Sequence, residues 1–197
     1  MHTHVLSALL FTLAQLPPGW TGRTDGKGSL ADVNVRAMGS GYHVTTGPAV
    51  ILYRAADKAD GPFHTLATFT LSRQPTHPEA YGLFVGGRGL DGAGQRYIYF
   101  LIRGDGSFLV KRREGDRTTN VTPRWAVNPA VARPDAKGRT TNTLEIDARS
   151  DPARVNFVVN GKVVHSASAK DLDLTGIVGL RVNHNLDVHV AGFALHQ

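Results

Sequence analysis

Apolar and polar positions alternate along much of the chain. In Arg96–Arg103, Ile98, Phe100 and Ile102 fall on one side of an extended backbone, and Tyr97, Tyr99, Leu101 and Arg103 on the other. Asn142–Arg149 repeats the pattern, with Leu144, Ile146 and Ala148 opposite Thr143, Glu145, Asp147 and Arg149. In Arg154–Asn160, Val155, Phe157 and Val159 oppose Arg154, Asn156 and Asn160; in Ile177–Asn183, Val178, Leu180 and Val182 oppose Arg181 and Asn183. A period of two with one apolar face is the signature of a half-buried strand, so each strand is expected to leave a polar face. Tyr42–Thr46, Ala49–Arg54, Phe63–Arg73, Tyr81–Gly87, Ser107–Arg113, Lys162–Ser166 and Asp187–Leu195 are further β-prone runs. Beyond the N-terminus no long segment shows apolar spacing of i, i+3, i+4, i+7, and only Ala167–Asp173 reads as a helical turn.

Turn chemistry separates these runs. Gly104-Asp105-Gly106 joins Arg96–Arg103 to Ser107–Arg113, and Asn160-Gly161 joins Arg154–Val159 to Lys162–Ser166; both read as tight hairpins. Gly47-Pro48, a polar loop over Asp57–Pro62, Pro75 with Pro78, and a Gly-rich loop over 86–94 mark the other breaks. Many short strands with no strand–helix alternation predict an all-β fold, a two-sheet antiparallel β-sandwich.

Composition supports this. Val, Ile and Thr supply 41 of 197 residues, whereas only 3 Glu and 6 Lys are present, so strand formers abound and two good helix formers are scarce. The length suits one domain. The absence of Cys excludes disulfide scaffolds, thiol nucleophiles and thiolate metal sites. No apolar run approaches the roughly 20 residues of a membrane-spanning helix. Residues 1–18, with an apolar run over Val5–Leu13 and a small-x-small Thr12-Leu13-Ala14 before Pro17-Pro18, read as a signal peptide or N-terminal extension ahead of a single domain over 19–197. No Lys or Arg precedes that run, a departure from the usual pattern. The expectation is a secreted or periplasmic protein, or a cytoplasmic one if the segment is not a signal. Net charge is +6, but its one dense cluster, Lys111-Arg112-Arg113 beside Glu114 and Asp116, reads as a charged hairpin edge, so no nucleic-acid partner is expected.

Five stretches taken together carry a family likeness: Glu79–Gly87; Tyr97–Arg103 with Gly104-Asp105-Gly106; Asn142-Thr143-Leu144; Val155–Gly161; and Gly176-Ile177-Val178-Gly179-Leu180. Over roughly Trp20–Leu195 the chain resembles the concanavalin A-like lectin/glucanase superfamily. The nearest resemblance is to bacterial laminin-G-like and 3-keto-disaccharide hydrolase-like jelly-roll domains. It implies two curved sheets of about six or seven strands each. It implies no single activity, because the fold hosts lectins, glycosidases, lyases and spacer domains.

Three chemistries compete. Glycoside hydrolysis needs two carboxyl groups about the scissile bond. The family-16 glucanases that share the fold carry Glu-x-Asp-x-Glu on one strand; here Glu145 and Asp147 keep the period, but Arg149 stands where the third acid belongs. Glu79 is an alternative acid. A metal would draw on His184, Asp187 and His189, although their spacing matches no zinc motif; calcium at the sandwich rim is the ion the resemblance suggests. Sugar binding asks for aromatic faces and planar hydrogen-bonding groups. Tyr97, Tyr99 and Arg103 share one strand face, with Tyr81, Arg88, Lys111, Arg113 and Trp125 as candidates to extend it. The favoured expectation is a non-catalytic carbohydrate-binding module for an acidic or polyhydroxylated glycan. The alternatives are a sugar-active hydrolase or lyase, and a structural or protein-interaction domain without a small ligand.

Overall fold

The computed structural model describes residues 16–197. Fifteen strands follow in chain order: β1 Thr21–Thr24, β2 Val33–Met38, β3 Gly41–Thr46, β4 Val50–Ala59, β5 His64–Leu71, β6 Ala80–Arg88, β7 Arg96–Arg103, β8 Ser107–Glu114, β9 Arg117–Asn120, β10 Ala126–Val127, β11 Thr140–Asp147, β12 Arg154–Val159, β13 Lys162–Ser168, β14 Gly176–Val182 and β15 Asp187–His196. Single 3-10 turns at Leu30–Asp32 and Ala169–Asp171 are the helical pieces among the described residues. No helix among them is long and apolar enough to cross a membrane.

Sheet I has eight strands in the order β1-β4-β14-β6-β7-β8-β10, with β9 also on β8; sheet II has seven, in the order β13-β12-β11-β5-β15-β3-β2. Every pairing is antiparallel. The two sheets pack face to face as a jelly-roll sandwich. Both predicted hairpins form. At the second, Asn160 and Gly161 have φ of 50° and 74°, the two positive values that a tight turn matching strand twist requires.

The inward positions are those the alternation predicts. Ile98, Phe100 and Ile102 meet Leu144, Ile146, Val155, Phe157 and Val159 in one cluster between the sheets. Phe100 crosses to Phe157 with ring centroids 5.4 Å apart, and Tyr81 crosses to Phe69 at 5.2 Å. Among the polar side chains buried there, Asn142 (1% exposed) is fully used. Its Oδ1 accepts from Ala132 N and Asn160 Nδ2, each at 2.8 Å, while its Nδ2 donates to the Tyr81 hydroxyl at 3.4 Å. These bonds remove the cost of burying an amide.

Two expectations need correction. The polar loop over Asp57–Pro62 begins later, because β4 continues to Ala59: Lys58 and Ala59 pair with Ile177 and Gly176. The polar outer face expected of each strand holds for sheet II but not for sheet I. There the outward positions Ile51, Tyr53, Phe84, Tyr97, Tyr99 and Leu101 form a second buried apolar cluster, so sheet I is packed on both faces.

Phe157→Ala is expected to lower unfolding free energy by about 3–5 kcal/mol, the usual loss for a buried aromatic that leaves a cavity. Urea denaturation measures it; a loss under about 1 kcal/mol would contradict the packing described.

Candidate functional site

The second cluster lies on a concave face. Asp25 continues the line of β1 at the sheet edge, its N–H donating to Ala49 O at 2.9 Å. Arg113 is on β8, five strand spacings away in the order β1-β4-β14-β6-β7-β8. Laid flat, that is about 24 Å at ~4.8 Å per strand. Yet Arg113 Nη1 is 3.1 Å from Asp25 Oδ1. Sheet I therefore curls round its outer face until its sides meet across it.

Arg181 of β14 stands at the centre. It donates to both carboxylate oxygens of Asp25, through Nη1 at 3.0 Å and through Nη2, and to the Tyr97 hydroxyl at 3.0 Å. Its guanidinium also lies 5.4 Å from the Tyr99 ring centroid. The aromatic rings run from Tyr53 to Phe84 (6.3 Å), Phe84 to Tyr97 (5.2 Å) and Tyr97 to Tyr99 (5.5 Å). Phe84 can lie this low because its neighbour on β14 is Gly179, where a Cβ would sit 2.5 Å from the Phe84 ring.

Electrostatics follow from this closure. Burial alone would raise the Asp25 carboxyl; the hydrogen bond and charge of Arg181, with Arg113 beside it, outweigh burial and hold it below its ordinary value of 3.8. Burial raises the Tyr97 phenol and pushes Tyr99 up to about 12, so both remain protonated donors at neutral pH. Burial, then the charges of Arg181 and Arg113, lower Lys111.

The predicted sugar-platform residues divide accordingly. Tyr97, Tyr99, Lys111 and Arg113 do share the concave face: Tyr97 pairs with Arg113 and Tyr99 with Lys111 across β7–β8. The two tyrosines are only 2% and 5% exposed, so they form the floor of the face rather than an open stacking surface. Arg103 and Trp125 form a unit at one end. The guanidinium lies 3.9 Å over the half-buried indole and is steadied by Asp105 at 3.0 Å. At the other end a cleft of about 440 Å³ is lined by Thr21, Arg23, Tyr53, Asp91 and Asp116. Arg23 is held there by the carbonyls of Leu90 and Gly92 at 2.8 and 2.7 Å.

Two candidates lie elsewhere. Tyr81 points between the sheets, fully buried against Phe69, because on β6 it alternates with the outward Phe84. Arg88, at the end of β6, ties down the 173–175 segment through Asp173 and Thr175 O, each at 2.9 Å. Conversely, Asp25, Arg181 and Tyr53 belong to the face although spacing alone did not single them out. Arg181 carried one signal: a charge alternating with Val178, Leu180 and Val182.

The acidic candidates are not gathered about one point. Glu145 is on the outer face of sheet II, 2.9 Å from His64 Nε2, and Asp147 accepts from the N–H groups of Arg149 and Ser150. Glu79 is on the other sheet's side, before β6, with His184 at 3.6 Å. The metal candidates are likewise divided. Asp187 faces His43 at 2.7 Å, His184 faces Glu79, and among the described residues no three His, Asp or Glu side chains come together as a metal cage.

No protein-family model matches the chain, and no curated protein matches it in sequence. Solved structures do match in shape. The carbohydrate-binding module CBM66 from Bacillus subtilis superimposes with a TM-score of 0.63 at 12% identity, covering 91% of this chain and 96% of that one. The fold is a jelly-roll β-sandwich. A Bacillus subtilis protein of unknown function with a galectin-like fold gives 0.63 at 10% identity, with 90% and 89% of the two chains covered. The carbohydrate recognition domain of Emp46p gives 0.61 at 12%, with 90% and 88% covered. At such identities the jelly roll is shared and the side chains on it are this protein's own.

The Asp25 carboxyl, depressed on folding, contributes stability that is present above its unfolded value and is lost as pH falls through its folded value. Asp25→Asn is therefore expected to lose about 3–5 kcal/mol at pH 7, the cost of stranding buried Arg181, and to lose less than the parent on going from pH 5 to pH 2. Urea midpoints at the three pH values test both; equal acid sensitivity would refute the assignment.

Proposed function

We propose that this chain is a non-catalytic, lectin-like carbohydrate-binding module that holds a saccharide on the concave face of sheet I. The observation that carries the reading is that face itself. It offers a half-buried indole stacked with Arg103, a tyrosine-lined floor and a cleft of about 440 Å³ beside Tyr53 and Arg23. Apolar ring faces suit the C–H side of a sugar, and fixed guanidinium donors suit its hydroxyls. The names of similarly folded structures, a carbohydrate-binding module and a carbohydrate recognition domain, support it. Within the fold, the sequence motifs favour the bacterial laminin-G-like and 3-keto-disaccharide hydrolase-like branch. We further propose export, on the apolar run over Val5–Leu13, which lies outside the described residues.

A second reading has one observation in its favour. Tyr97 and Tyr99 are covered by the protein's own Arg181, Arg113 and Asp25, as in an interaction domain that takes no small ligand. A hydrolase reading draws less support, since Glu79 precedes β6 of sheet I, Glu145 is on β11 of sheet II, and His64 already engages Glu145.

A glycan array with the purified protein separates these. Binding is expected, and Trp125→Ala is expected to weaken it about 10-fold or more while the melting temperature stays within a few degrees. Silence across neutral and charged glycans would overturn the reading in favour of the interaction domain.

A further inference from the structure

The concave face carries more positive charge than it neutralises. Arg181 and Arg113 share one carboxylate, Asp25. The other carboxylate near Arg113, Asp116, is 3.9 Å away and fully exposed to solvent, where its pull is screened. Lys111 adds a third cation to the same face. It is half-buried on β8 between its cross-strand neighbours Tyr99 and Asn120, and it takes part in none of the ion pairs among the described residues. One half-buried carboxylate thus stands against three cations.

Such an arrangement costs folding energy, because a partly desolvated ammonium beside two guanidinium groups is repelled and has no counter-charge. The protein's own burden shows in the ammonium, which burial and the two arginines make easier to deprotonate. No packing need explains it: a methionine of similar length would fill the same space without the charge. Beside Lys111, the Tyr99 hydroxyl remains a protonated donor and has no hydrogen-bond partner among the described residues.

We infer that the concave face recognises an anionic group on its saccharide, a carboxylate or a sulfate ester, received by Lys111 Nζ with the Tyr99 hydroxyl as second donor. Arg181 and Arg113 supply the surrounding field and remain bound to Asp25. The anion completes the charge balance that the fold leaves open, and the sugar ring extends from it towards Arg103 and Trp125. This rests on the carbohydrate-binding reading above and narrows it to acidic ligands.

Calorimetric titration of the full chain with three oligosaccharides of one backbone tests it: uronate-bearing, sulfated and neutral. At least one charged ligand is expected to bind about 10-fold or more tightly than the neutral one at low salt, with the preference shrinking as salt is added. The two charged arms decide between carboxylate and sulfate. Lys111→Met should abolish the preference, so that charged and neutral ligands bind alike, and Lys111→Arg should restore most of it. Lys111→Met is expected to fold, since it removes repulsion and keeps the stem. Nitrogen-15 NMR of the Lys111 ammonium should show its titration moving up when the charged ligand binds. Equal binding of charged and neutral ligands, or an undiminished preference in Lys111→Met, overturns this inference alone. Failure of all three ligands to bind overturns it together with the carbohydrate reading.

Discussion

The contact of Asp25 with Arg181 and Arg113 is the constraint on which this structure turns. An open antiparallel sheet with one face against a core normally shows its other face to water. Here the carboxylate on one side of sheet I reaches a guanidinium on the other, and that can happen only if the strands between them curl. Once they do, the outward residues of β4, β6 and β7 are no longer on a surface. This explains why tyrosine and phenylalanine stand at positions that an ordinary sandwich would fill with Thr, Lys or Glu. It also explains why glycine at 179 is needed where the Phe84 ring presses on β14.

The two sheets therefore do different work. Sheet II is a conventional wall, with Phe69, Leu144, Ile146 and Phe157 inward and a polar exterior of threonine pairs such as Thr68–Thr143 and Thr70–Thr141. The carboxylates that first invite an enzymatic reading, Glu145 and Asp147, belong to that exterior, where Glu145 pairs with His64 of the neighbouring β5 and Asp147 accepts from the N–H groups of the turn that follows it. Sheet I spends its outer face on a charged aromatic floor with an accessible feature at each end, Arg103–Trp125 and the cleft at Tyr53. Chemistry and scaffold are thus separated by sheet, not by loop.

Much of the fold is legible in the sequence because alternation and turn residues are local signals. Arg96–Arg103 and Arg154–Val159 have the bounds that alternation predicts, and Asn160-Gly161 turns as its composition requires. The 3-10 turn at Ala169–Asp171 falls inside the one segment that reads as helical. The strands that local signals miss are β1, β2, β9 and β10. Three of them have four residues or fewer, and β2 carries only two buried positions, Val33 and Val35. The site was half legible for a related reason. Alternation fixes which face Tyr97, Tyr99, Lys111 and Arg113 share. It says nothing of curvature, which depends on contacts between residues far apart in sequence, and so it leaves Tyr97 and Tyr99 looking open and Asp25 looking like a loop residue. Tyr81 misleads because an aromatic beside a Gly-rich strand end reads alike on either face.

The clasp also has a kinetic meaning. Asp25 and Arg181 are 156 residues apart, near the two ends of the domain, and the strands between them in sheet I include both early and late segments of the chain. Loop closure over such a span is entropically costly and slow, and topologies dominated by distant pairings fold late and cooperatively. The concave face is consequently not a preformed patch that the rest of the protein decorates. It comes into being only when β14 is laid between β4 and β6, so a chain emerging from synthesis has most of its strands but none of this face until β14 docks.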